Sequence, residues 1–220
     1  MKKVLLPILS LLLILTFSNI NAQPHFAVGA RAGLNIANLS FDPDLPSGVT
    51  KTSRTGFLFG GLAEIGFTPM IAIQFEPMFV TGAGSELSAT GGKSTLKLSY
   101  FEFPILFKFK VPVSGPVMPY VFAGPNIGFV TSSKEVDEIT GVPNGTSETD
   151  LKDFVTSTNF ALDFGAGAGF AVAPLTVIVL DVRYSLGLTN ALNDKGKQSV
   201  GFNSVKSTGF QIVAGVMFGL

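Results

Sequence analysis

Ionisable side chains are scarce in this 220-residue chain, and those that could do chemistry recur in one setting. Arg31, Glu64, Glu76, Glu102, Lys108, Lys110, Asp163, Asp181 and Arg183 are each flanked by apolar residues within segments of alternating polarity. Five acids stand against four bases. Alternation puts these charges on one face of a strand and the apolar neighbours on the other. Charges confined to such a face must pair and hydrogen-bond, because an unpaired charge out of water is costly. An interior polar network is therefore expected. A proton or ion path through the same groups is the alternative.

Other chemistry finds less support. His25 is the only histidine, near the start of the first alternating segment, and no neighbouring Ser–acid pattern makes it a catalytic base. A disordered or rim position is expected. GAGAGF at 165–170 has the glycine density of a nucleotide loop, but a dinucleotide site needs a helix after the glycines. Here alternation continues through Phe170 and Val172, so close packing is expected instead. The segment 133–154 carries Glu135, Asp137, Glu138, Glu148, Asp150 and Asp153 against Lys134 and Lys152. Carboxylate oxygens suit Ca²⁺. The spacing is not that of a calcium loop, so a solvated loop is expected. There is no cysteine, which removes disulfides, thiolate metal sites and thiol nucleophiles. No catalytic residue and no cofactor are expected.

The elements that must hold the charges are strands. Residues 1–22 read as a cleaved signal peptide: Lys2 and Lys3, an apolar run from Val4 to Phe17, then a polar stretch ending in Ala22. That run is shorter than the ~20 residues a membrane-spanning helix needs. The mature domain is 23–220. Within it the sequence predicts eight strands: Phe26 to Leu39, Arg54 to Phe67, Ile71 to Gly82, Ser94 to Lys110, Val117 to Ser132, Val155 to Ala173, Thr176 to Leu188 and Lys206 to Leu220. No helical spacing is found. Thr68-Pro69-Met70 and Ala173-Pro174-Leu175 are tight turns, and Lys110 to Val117 is little longer. Ser40 to Ser53, Ala83 to Lys93, Ser133 to Phe154 and Thr189 to Val205 are long and polar. Short turns on one rim and long loops on the other is the layout of bacterial outer-membrane barrels.

Composition decides which face meets the surroundings. Only 14% of residues are charged, 46% are hydrophobic, and there are 21 Phe and 25 Gly. A soluble domain carries about 25% charged residues. A lipocalin-like soluble barrel would place Lys, Glu or Thr where this chain has glycine. The apolar, phenylalanine-rich face is therefore expected to meet lipid. The fold expected is an all-β, eight-stranded, antiparallel up-and-down transmembrane β-barrel, preceded by a cleaved signal peptide. Eight strands leave a lumen that side chains fill. Charge is balanced, 15 Lys+Arg against 15 Asp+Glu, so no nucleic-acid partner is expected.

FAVGARAGLNIANL at 26–39, GFLFGGLAEIGF at 56–67, IAIQFEPMFVTGAG at 71–84 and LSYFEFPILFKFKV at 98–111 resemble the PorT-like outer-membrane β-barrel family. So do PYVFAGPNIGFV at 119–130, LDFGAGAGFAV at 162–172 and VRYSLGLTNAL at 182–192. The resemblance spans nearly the whole mature chain. It implies a Gram-negative outer-membrane location and a barrel, and no catalytic residues. The C-terminal GFQIVAGVMFGL resembles the terminal strand read by the outer-membrane assembly machinery, although it ends in Leu220 rather than Phe.

The function expected is that of a monomeric, non-enzymatic outer-membrane barrel, structural or interacting through its long loops. Its partners would be outer-membrane lipids and lipopolysaccharide. A narrow channel or transporter, a secretion-associated barrel and, last, a lipid-modifying enzyme are the alternatives.

Overall fold

The computed structural model describes residues 25–139, 141 and 145–220. The signal peptide read at 1–22 lies outside them, as do residues 140 and 142–144. Eleven strands form one antiparallel sheet: β1 His25–Asp42, β2 Thr50–Gly66, β3 Ile71–Phe75, β4 Met78–Ala83, β5 Ser85–Ala89, β6 Gly92–Lys110, β7 Val117–Ile139, β8 Thr146–Asp150, β9 Thr158–Ala173, β10 Thr176–Gly187 and β11 Ser204–Gly219. One helix, α1 Asp194–Val200, and a 3-10 turn, Lys152–Phe154, complete the described elements. No helix among the described residues is long and apolar enough to cross a membrane.

Hydrogen-bonded neighbours follow the chain. β1 pairs with β2 and with β11. β2 pairs with β3, β4 and β5, and all three pair with β6. From there the ladder runs β6–β7, β7–β9, β9–β10 and β10–β11. β8 adds to the far end of β7.

Period-two alternation sets the two faces, and their polarity is the reverse of a soluble protein. Phe57, Phe59 and Phe107 are 68%, 56% and 60% exposed, whereas Glu76 and Asp163 are fully buried. The outward rings touch across strands: Phe59 meets Phe79 at 5.5 Å between centroids, and Phe79 meets Phe101 at 5.4 Å. On the buried face four apolar clusters interrupt the polar residues: Ala27, Leu62 and Met217 near one rim, Leu58, Met78, Val80 and Val213 in the middle, Leu106, Tyr120 and Phe122 on the β6–β7 side, and Ala37, Ala83, Leu98 and Tyr100 toward the other rim.

Four expectations are corrected. The segment Ile71 to Gly82 is two strands, because Pro77 has no N–H for the ladder. Instead the Pro77 carbonyl accepts from Gly61 N at 3.0 Å, and Glu76 N donates to the Pro104 carbonyl at 3.1 Å. The connection Ala83 to Lys93 contains β5. The segment Ser133 to Phe154 is not an open loop: β7 runs on to Ile139 and folds back as β8. The segment Thr189 to Val205 holds α1, which is only seven residues long. Such a helix shows too few turns for apolar periodicity. Asn193 caps its start, with Oδ1 accepting from Gly196 N at 3.0 Å, and Gly201 ends it in the left-handed region at φ 73°.

Candidate functional site

The buried face of the sheet gathers every charge singled out from the sequence into one connected set. Arg31 enters from β1. Its register neighbours are Gly60 on β2 and Gly215 on β11. A Cβ on Gly215 would lie 3.0 Å from the Arg31 side chain, so glycine there leaves the guanidinium its path. Arg31 is 3% exposed. Its Nη1 donates to Glu76 Oε1 and its Nη2 to Asp181 Oδ2. Tyr120 OH donates to the other Asp181 oxygen.

Glu76 follows β3 and is the hub. It accepts from Arg31, from Gln74 Nε2, and from Arg183 Nη2 at 2.6 Å. Arg183, on β10, also faces Asp163 Oδ2 at 3.6 Å. Its guanidinium carbon lies 5.2 Å from the Phe122 ring centroid. Toward the short-turn rim, Lys108 donates to Glu64 Oε2 at 3.0 Å and to Gln74 Oε1 at 2.9 Å. Lys110 pairs with the second Glu64 oxygen. The Lys108 ammonium also sits over the Tyr120 ring, 3.8 Å from its centroid. Toward the other rim, Asn126 Nδ2 reaches both Glu102 Oε2 and Asp163 Oδ2 at 3.1 Å.

A single chain of contacts therefore runs Lys110–Glu64–Lys108–Gln74–Glu76, branches to Arg31–Asp181–Tyr120, and continues Arg183–Asp163–Asn126–Glu102. Glu102 joins through an amide rather than an ion pair. Fork-shaped guanidinium–carboxylate pairs are the strong members of such a set. Among the described residues, Arg31 Nε, Arg183 Nε, Asp163 Oδ1 and Asn126 Oδ1 have no hydrogen-bond partner.

Tyr120 and Asn126 were not among the charged candidates. Both share the inward parity of β7 with Gly124 and Gly128, and that parity was the signal available for Tyr120. GAGAGF packs as strand β9. A Cβ on Gly167 would come within 2.7 Å of the Tyr120 ring and would collide with the Asp181 carboxylate. The glycines make room for the charged set; they cradle no phosphate.

The remaining candidates lie apart. His25 begins β1 opposite Gly66 and is exposed. The acids of 133–154 are spread along the β7–β8 hairpin and its exit. Glu135 accepts from Ser94 Oγ at 2.7 Å, Glu148 pairs with Lys134 at 2.6 Å, and Asp150 accepts from Lys152 N at 2.8 Å. The Lys134 ammonium beside Glu148 holds its carboxyl below the usual range. Among the described residues no cluster of His, Asp or Glu forms a metal-ligand set.

Solved structures of similar shape are outer-membrane proteins. The chain is 16% identical to Neisserial surface protein A, with TM-score 0.53, over 90% of this chain and 99% of that one. It is 15% identical to Ail, the attachment invasion locus protein of Yersinia pestis, with TM-score 0.44, over 87% and 98%. It is 11% identical to OprG of Pseudomonas aeruginosa, with TM-score 0.46, over 90% and 96%. At these identities only the first likeness bears on the argument, and it bears on the fold alone. No curated protein matches the chain in sequence. The model of one family, described as outer membrane protein beta-barrel domain, matches residues 21–193, and the chain belongs to that family.

Proposed function

We propose that the protein is a non-enzymatic outer-membrane barrel with a filled interior, acting through the part of the chain that stands above the membrane. Counting β3, β4 and β5 as one interrupted stave, and β8 as an extension of β7, the pairings pass through eight staves and return to β1. The phenylalanine-rich face is the lipid side. Short turns at Phe67–Met70, Val111–Pro116 and Pro174–Leu175 then lie in the periplasm, and the long connections lie outside the cell.

The observation that carries this reading is the Arg31–Glu76–Arg183 centre. It is a salt-bridged plug, closed above and below by apolar layers. The two hollows beside the charged set are each about 20 Å³, room for about one water apiece and not for a continuous water path. The partners proposed are outer-membrane lipids and lipopolysaccharide along the staves, and the assembly machinery at β11 during insertion. A monomer is proposed because the β1–β11 ladder leaves neither strand a free edge. A role in secretion, as in PorT-like barrels, rests only on the family resemblance.

Purified protein in a planar bilayer tests the reading. A filled barrel gives no steady single-channel current, and it shifts gel mobility on heating. A stable current that Glu102→Gln or Arg183→Gln alters would replace the plug with a path.

A further inference from the structure

Above the apolar layer of Ala37, Ala83, Leu98 and Tyr100, the staves continue into a crown that is not filled. A cavity of about 250 Å³ opens there. Its wall is apolar and comes from separate parts of the chain: Phe41 on β1, Leu87 on β5, Leu96 on β6, Leu151 and Phe154 around the 3-10 turn, and Leu192 before α1. A second hollow of about 50 Å³ shares Leu96, Leu151 and Leu192 and extends it inward to Leu39 and Leu98. Connections between strands are ordinarily polar, since they run through water. Here several of them turn leucine and phenylalanine toward a common space.

The hollow is held open by built walls. Asn193 Nδ2 donates to the Asp153 carbonyl at 2.9 Å and the Val155 carbonyl at 3.2 Å, and Thr156 N donates to the Ala191 carbonyl at 2.8 Å. Asn190 Oδ1 accepts from Leu192 N at 3.1 Å and Val205 N at 2.9 Å, while its Nδ2 donates to the Asn203 carbonyl at 2.9 Å. A Cβ on Gly196 would collide with the Phe154 carbonyl, so α1 already sits as close to the 3-10 turn as backbone allows. Phe41 is braced by the Phe202 ring at 5.0 Å. These bonds fix the lid and keep it from sinking into the space beneath. An apolar hollow that the walls cannot close favours an apolar occupant.

We infer that the crown is a binding site for a small uncharged apolar molecule, aliphatic or aromatic, of about ten carbons. The size follows from volume: a cavity of about 150 Å³ takes benzene, and this one is larger in proportion to ten carbons against six. The lack of charge follows from the lining. Glu135 and Ser199 are polar groups in the wall. Glu135 accepts from Ser94, and Ser199 Oγ donates to the Lys195 carbonyl at 3.0 Å. A carboxylate in the wall disfavours an anionic ligand. The floor layer makes the site blind, so it captures a ligand without passing it into the charged interior. The site stands whether or not the barrel conducts.

The exported chain in lipid nanodiscs, titrated with naphthalene and read by its fluorescence, tests this. The chain has no Trp to overlap the signal. Empty discs give the lipid background. The expected result is a saturable component of one site per chain above that background. Filling the cavity from two walls, by Leu87→Phe on β5 and Val205→Phe on β11, weakens that component by at least about tenfold in either variant. Phe107→Ala on the lipid side leaves it unchanged, and heat-modifiable mobility reports that each variant is folded. Decanol displaces the probe and decanoate does not. Absence of a saturable component overturns the inference, as does binding in both filled variants as strong as in the unaltered chain. Displacement by decanoate as strong as by decanol overturns the assignment of an uncharged ligand.

Discussion

Between Lys110 and Glu102 the space inside the sheet is packed with charge; beyond Leu98 it is apolar and partly hollow. Both regions are built by the same strands, and both follow one rule applied to two solvents. Along β1 the outward residues Phe26, Val28, Leu34 and Ile36 give way to Ser40 and Asp42. The inward residues Arg31 and Asn35 give way over the same stretch to Ala37, Leu39 and Phe41. β6 repeats the exchange. Outward Phe109, Phe107, Ile105, Phe103 and Phe101 are followed by Ser99 and Lys97, and inward Lys108 and Glu102 by Leu98 and Leu96. Ala37 and Leu98, the first inward apolar residues past the exchange on the two strands, pack in one cluster. Where lipid bathes the outside, polar groups must go in; where water does, apolar groups go in. On the proposed reading, with lipid against the phenylalanine-rich face, the level of the exchange would mark the upper edge of the hydrocarbon layer.

The largest test of this contrast is the charged hub. Glu76→Ala leaves Arg31 and Arg183 buried without their shared carboxylate. Breaking a buried pair by removing one partner costs about 3–5 kcal/mol. The measurement is urea unfolding in lipid vesicles. Glu76→Gln, which keeps hydrogen-bond acceptance, loses less. A cost under about 1 kcal/mol for the alanine variant would mean that water has access to the hub.

Next comes the outer surface, where the two regions should answer in opposite ways. Ile105→Arg puts a charge in the middle of the lipid-facing run of β6 and should cost about 2–4 kcal/mol, as charges do at the midplane of such barrels. Lys97→Phe, on the same face of the same strand but above the exchange, should change stability by no more than about 0.5 kcal/mol. Equal effects at the two positions would erase the proposed boundary.

Packing distinguishes glycines that look alike in sequence. Gly167→Val drives a branched side chain into Tyr120 and Asp181 and should cost about 1–3 kcal/mol. Gly61→Ala, where the nearest atoms would be 3.7 Å and 3.8 Å from the new Cβ, should fold with unchanged stability.

How far all this could be read in advance differs between the two regions for physical reasons. In the midsection each residue's environment depends on its parity, and parity is printed in the sequence. Arg31, Glu64, Asp163 and Arg183 announce themselves by interrupting apolar alternation. Tyr120 does not, because its ring reads as apolar while its hydroxyl serves Asp181. The crown depends on contacts between distant segments. Nothing local in Leu151 or Leu192 says that they share a wall. The polar composition of 133–154 conceals a hairpin whose pairing, Glu135 with Thr149 and Lys134 with Asp150, forms between hydrophilic strands. Pro77 did carry a readable signal for the break between β3 and β4, since a proline cannot donate within a central strand.

The smallest expected effect is at Asn193, and it separates the regions most cleanly. This side chain caps α1 and ties the lid to the Asp153 and Val155 carbonyls. Asn193→Ala removes the cap, worth ~1 kcal/mol, along with both ties. None of these bonds reaches the charged interior, so unfolding of the barrel in vesicles should be nearly unchanged. The loss should instead appear as local opening, with faster amide hydrogen exchange across residues 192–200 and ordinary protection in β9, β10 and β11. If exchange accelerates throughout those strands as well, the crown and the midsection open as one unit, and the contrast drawn between them belongs to composition and not to energetics.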